Sequence, residues 1–124
     1  MKTTTGKRSQ TPTRPSHRTS KARLAAMIEE ATVDAYGEGE EVVGLYTLLE
    51  EHLALPFETA ILGVTVTVER IDLTDRNQIV AICRRGRDRQ RLPLADLPLP
   101  SPAPDGADWI EAYRQWIGEA EACA

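Results

Sequence analysis

The chain has 124 residues, 41% of them apolar, and a formal net charge of −4. That length suits one domain with a core of its own, without metal or disulfide staples. The composition excludes a membrane span, because no apolar run approaches the roughly 20 residues needed.

The charge is divided along the chain. Residues 1–23 carry seven Lys or Arg and no acid, whereas the remaining 101 carry 19 acids against eight Arg. Residues 1–21 hold almost nothing to bury, so they are expected to form a disordered basic tail. No apolar stretch follows this tail, as a secretory signal would require. The two cysteines, Cys83 and Cys123, match no metal spacing and are expected to be reduced thiols in a cytoplasmic protein. The single domain is expected over residues 22–119.

The first helix is expected over about 22–35, with Leu24, Ile28, Ala31 and Ala35 on one stripe. Gly37 should end it. A second helix is expected over about 40–53, burying Val42, Leu45, Tyr46, Leu49 and Leu53, and Pro56 should stop it. The period then changes to two. Valines and threonines alternate over 64–68, as in a half-buried strand. Further strands are expected over 78–84 and 89–94, joined by the turn Arg85-Gly86-Arg87-Asp88. Alternating prolines make 95–106 an extended connection. A last helix over about 108–118 should start at a capping box of Asp108 and Glu111. Its stripe of Trp109, Tyr113 and Trp116 should dock on the sheet. The fold class is therefore α+β: two N-terminal helices, a small antiparallel sheet or SH3-like barrel, and a C-terminal helix.

Enzyme signatures are absent. There is no nucleophile elbow, phosphate loop, dinucleotide fingerprint or zinc-protease motif, so the protein is expected not to be an enzyme. His52 with Glu50 and Glu51 could hold zinc, but a lone His on a helix face is more often simply a partly exposed side chain. The carboxylates say more. From Leu24 to Glu69 there are ten acids and not one Lys or Arg. A solvated helical surface usually mixes both signs, so a cation or a basic partner would relieve this stretch. Ca2+ takes about 6–8 oxygen ligands, and residues 34–51 supply such groups densely. Asp34, Glu38 and Glu41 would share one face if the first helix ran through Gly37. If the chain turns there, Glu38, Glu40 and Glu41 sit at a helix junction. Carbonyls at the end of the first helix could then also serve. Glu50 and Glu51 lie about three turns further on and need another element to fold back. Asp105, Asp108 and Glu111 could join them. The segment Asp72-Leu-Thr-Asp75-Arg-Asn77 lacks the Gly and terminal Glu of an EF-hand loop and reads as a turn.

A competing patch is basic: Arg84, Arg85, Arg87, Arg89 and Arg91 crowd one hairpin. It suits a protein- or nucleic-acid-interaction module. Nucleic acid is disfavoured, because no aromatic interleaves with these arginines and the chain is acidic outside its tail. Pairing with the acidic helices, within one chain or across a homodimer, suits the pattern better.

Several motifs occur in one order: Asp34-Ala-Tyr-Gly-Glu38, Gly44-Leu-Tyr-Thr-Leu-Leu-Glu50-Glu51, Leu55-Pro-Phe-Glu-Thr, Cys83-Arg-Arg-Gly-Arg, Arg91-Leu-Pro-Leu-Ala-Asp-Leu and Trp109-Ile-Glu-Ala-Tyr-Arg-Gln-Trp. Together, over about residues 25–117, they resemble the CcbP-type family of small bacterial calcium-binding proteins. The resemblance implies a cytosolic Ca2+ buffer or sensor of mixed helix and sheet, with the ion bound by acidic side chains and no EF-hand. It carries over Asp34, Glu38, Glu41, Glu50 and Glu51 as ligands, and Glu40 is added on its chemistry. The Arg-rich sheet half departs from the family's acidic character and argues against high capacity.

Overall fold

The computed structural model describes residues 19–122. Residues 1–18 of the expected tail, and Cys123, lie outside them. Helix α1 spans Lys21–Thr32 and starts where the Ser20 hydroxyl, as N-cap, accepts the Arg23 N–H. It buries Leu24 and Met27, with Ile28 and Ala31 packed alongside. It ends three residues earlier than expected. β-Branched Thr32 and Val33 and then Asp34 are poor helix formers, and Thr32 turns its hydroxyl back to the Ile28 carbonyl. Gly37 does not terminate α1 but is the N-cap of α2, Glu38–His52. Helix α2 buries Val42, Leu45 and Leu49 and closes through Leu53 N–H on the Leu49 carbonyl.

Four strands follow as an antiparallel meander in the order β1-β2-β3-β4: Phe57–Ile61, Val64–Leu73, Ile79–Arg85 and Asp88–Pro93. Sequence reading misses β1, because five residues with one buried threonine give a faint alternation. The β3–β4 turn falls where expected, with Arg85 opposite Asp88. Thr74–Gln78 turns between β2 and β3, the Thr74 hydroxyl accepting the Arg76 and Gln78 amides. The sheet is open: its ends, β1 and β4, pair only inward, so an SH3-like barrel does not form. Closure would need β4 to curl back towards β1. Instead β4 runs into a short 3-10 helix, Leu94–Asp96, and the chain leaves the sheet. The Thr59 hydroxyl donates to the Pro98 carbonyl at 2.6 Å and ties that exit to β1.

Helix α3, Ala107–Ala122, is antiparallel to α2, with Trp109 stacked on His52 and Trp116 reaching Glu41. Asp108 stands inside its first turn, so the expected capping box does not form, and Glu111 accepts the Thr19 N–H instead. The aromatic stripe also docks differently from expectation. Trp109 stacks on His52 of α2 and Trp116 on Tyr113, while the Tyr113 hydroxyl engages the sheet, accepting the Ile79 N–H at 3.2 Å. Arg114 donates to the carbonyls of Ala95 and Leu97 and pins the chain between sheet and helix. The core, centred on Leu45, Leu49, Val68, Ile79, Leu97 and Ile110, fills the space between the helices and one sheet face.

Two glycines are required by close approach. A Cβ on Gly44 would stand 2.1 Å from the Ala31 carbonyl oxygen, and one on Gly106 would stand 2.1 Å from that of His52. The first contact is where α2 crosses α1, and the second is where α3 meets the end of α2. At the β1–β2 turn, Leu62 and Gly63 both have positive φ, 52° and 79°, as a type I′ turn requires. Leu62 is 99% exposed there and gains nothing from burial.

Two opposite stability effects are expected. Gly44→Ala should destabilise by about 1–3 kcal/mol, because two backbones must separate. Leu62→Asn should stabilise by roughly 1 kcal/mol by relieving the left-handed conformation, raising Tm by a few degrees. Thermal and urea unfolding of both variants checks this, and a neutral Gly44→Ala would show that the helix crossing is compliant.

Candidate metal centre

Helix α2 carries the candidate carboxylates at its two ends, and the distance between them divides the set. Glu38, Glu40 and Glu41 lie in the first turn, and Glu50 and Glu51 in the last. At 1.5 Å per residue, Glu41 and Glu50 are separated by roughly 14 Å along the axis. Asp34 belongs to the first group, in the link between α1 and α2. Asp105 and Asp108 stand with the second, since the Ala54 N–H donates to the Asp105 carbonyl at 2.9 Å.

The first group occupies a helix N-terminus, where unpaired amides and the dipole favour negative charge without any cation. Two of its members already have partners. Glu40 Oε1 accepts the Tyr36 N–H at 3.0 Å, the reach-back of a capping residue. Glu41 Oε1 accepts the Trp116 indole N–H at 2.7 Å across 75 residues of chain. Asp34 and Glu38 are exposed and make no hydrogen bond or ion pair among the described residues. Between the end of α1 and the outer face of α2 runs an open groove of about 460 Å3, lined by Glu30, Asp34 and Glu40 among others. Glu30 was counted among the acids in the sequence but not chosen as a ligand. Its spacing of four from Asp34 is the signal that could have found it.

In the second group, Glu50 Oε2 accepts the Tyr46 hydroxyl at 2.9 Å. The Tyr46 hydroxyl also lies 3.4 Å from the Ile71 carbonyl. Burial, then the bond to Glu50 and the charges of Glu50 and Asp72, push the Tyr46 hydroxyl up to about 12, with Arg70 opposing. Glu51 lies 4.0 Å from His52 Nε2.

The donors are carboxylate oxygens, which suit a hard cation. They are not gathered into a cage: among the described residues no group of three or more His, Cys, Asp or Glu side chains could hold a metal ion. No ion pair among the described residues joins the basic hairpin to these helices either. Arg84 Nε and Arg89 Nε converge on Glu69 of β2, at 2.6 and 2.9 Å, and hold its carboxyl below the usual range, Arg89 foremost. Glu69 is brought there by a β-bulge between Val68 and Arg70, which sequence spacing does not reveal.

The family model of the CcbP proteins, described as calcium binding, matches residues 25–117. The chain belongs to this calcium-binding family. Ca2+ is accordingly its ion, and the match spans most of α1, all of α2 and the sheet, and most of α3. No curated protein and no solved structure matches the chain. No helix among the described residues of this CcbP-family protein is long and apolar enough to cross a membrane.

The raised Tyr46 fixes an alkaline limit. A group whose pKa is raised on folding contributes stability below its unfolded value, and loses it as pH rises through the folded value. Stability should therefore fall between 10.0 and about 12 as Tyr46 ionises. Burial raises Tyr113 as well, and it adds to the loss. Tyr46→Phe should cost about 1 kcal/mol near neutral pH and flatten the alkaline decline. Urea unfolding across that window checks it, and an unchanged slope would exclude Tyr46 as the cause.

Proposed function

We propose that this protein binds Ca2+ at the α1–α2 junction, through Asp34, Glu38, Glu40 and Glu41 with Glu30 as a further ligand. The observation that carries the reading is the groove lined by Glu30, Asp34 and Glu40, beside a turn that holds Glu38 and Glu41. No Lys or Arg side chain among the described residues pairs with any of these five. The single hydrogen bonds to Glu40 and Glu41 leave a second oxygen on each carboxylate for an ion. Because the carboxylates stand apart, binding draws their side chains inward. Glu50 and Glu51 are too far along α2 to share that ion, and form a separate, weaker locus with Asp105 and Asp108. The role is that of a non-catalytic cytosolic buffer or sensor.

Titration calorimetry of chelator-stripped protein, with Mg2+ as competitor, tests the assignment. Glu38→Gln and Glu40→Gln should each weaken Ca2+ binding roughly tenfold, because each removes a formal charge from an oxygen-only site. Glu50→Gln should leave that step intact. Saturating Ca2+ should raise the Tm of the parent by ligand linkage. Parent-like binding by both first-turn variants would move the site elsewhere.

A further inference from the structure

The face of the sheet turned away from the helices has a composition the calcium reading does not use. In register, Arg84 and Arg89 lie opposite each other, and Ile82 lies between Arg70 and Arg91. The core residues Val68, Ile71, Ala81, Cys83 and Leu92 take the alternate positions, so these arginines share the outer face. The bulge adds Glu69 to that face beside Arg70, since Val68 and Ile71 on either side both point into the core. Val80 and Ile82 are nonetheless buried, so the face is a charged rim around a short apolar strip. Arg87 stands in the turn at the end of this face, and exposed Arg85 lies beside it at the last position of β3, in the alternate register of Cys83. Glu69 engages Arg84 and Arg89, but Arg85, Arg87 and Arg91 make no hydrogen bond or ion pair among the described residues.

The complementary surface lies on the same chain. Glu29 and Glu30 of α1, with Asp34 and Glu38, are exposed and have no cationic partner among the described residues. The two surfaces therefore do not neutralise each other within one described chain. We propose that the arginine face of β2–β4 is a docking surface for a second copy of this chain, received through its acidic α1–α2 half. Sheet face on helix face is a heterologous contact, so association runs head to tail. Such a contact between exposed charges weakens as salt shortens the screening length. A nucleic acid is a poorer occupant. The chain outside its basic segment is strongly acidic, and both tryptophans and Tyr113 belong to α3 rather than to this face.

Sedimentation velocity in chelator, with no Ca2+ present, tests this independently of the metal site. The parent should associate at about 0.02 M salt and become monomeric by about 0.3 M. The triple variant Arg85→Glu, Arg87→Glu, Arg91→Glu should stay monomeric at both, with unchanged circular dichroism. Glu29→Lys with Glu30→Lys should weaken association in the same way. Mixing these two variants should restore a complex, because the reversed sheet face of one then meets the reversed helix of the other. A parent that is monomeric at low salt overturns the proposal. So does a mixture that fails to associate, or a parent that binds single-stranded nucleic acid through these arginines without self-associating.

Discussion

The contact that the helical half depends on is the approach of Gly44 to the Ala31 carbonyl, where no side chain fits between α1 and α2. Packing at backbone distance puts Leu24 and Met27 of α1 into the same core as Leu45 and Leu49 of α2. Both helices then present acidic residues to solvent, and the groove between them is lined by carboxylates on both walls. The crossing also fixes the link between the helices. With α1 closed at Thr32 and α2 opened at Gly37, Asp34 lies in a short bridge at the mouth of the groove. The second seam, where Gly106 lies against the His52 carbonyl, anchors α3 antiparallel to α2. The sheet, the Pro98 tie and the 3-10 turn are arranged around this helical layer.

Two physical explanations bear on the same acids. Glu38, Glu40 and Glu41 occupy the end of α2 where amides and dipole favour carboxylates, so helix formation alone accounts for part of their placement. What helix formation does not account for is the absence of compensating cations. The arginines Arg84 and Arg89 instead pair with Glu69, on the other side of the molecule. The Ca2+ site proposed above would give that uncompensated charge a chemical use. The segregation of sign, acid on the helices and arginine on the outer sheet face, follows from the chain order itself. No Lys or Arg occurs between Leu24 and Glu69.

The elements that sequence made legible are those with strong periodicity. The stripe of Val42, Leu45 and Leu49, the alternation over 64–68 and the Arg85–Asp88 turn all stand where spacing puts them. Strand β1 escaped because Phe57–Ile61 is too short for its alternation to stand out. Gly37 was misassigned because a glycine can close one helix or open the next, and only the early end of α1 decides between them. The candidate carboxylates were legible as a list but not as a geometry. The helix expected over 40–53 already set Glu50 and Glu51 about three turns from Glu41, but sequence could not show that α1 closes at Thr32 and leaves Asp34 in the link before α2. Nor could it foresee the bulge that turns Glu69 towards the arginines.

The two tryptophans sit at opposite ends of the helix that carries the carboxylates, Trp116 donating to Glu41 and Trp109 stacked on His52. Each indole thus has a different electrostatic neighbour, one a carboxylate and the other an imidazole beside Glu51. The protein is in this sense optically labelled by its own core. Emission from the Trp116 end follows what happens to the carboxylate it touches, and emission from the Trp109 end follows its stacking against the imidazole of His52. Replacing either indole with phenylalanine leaves a spectrum from one end of α2 alone, so the two ends can be watched separately without attaching a foreign dye.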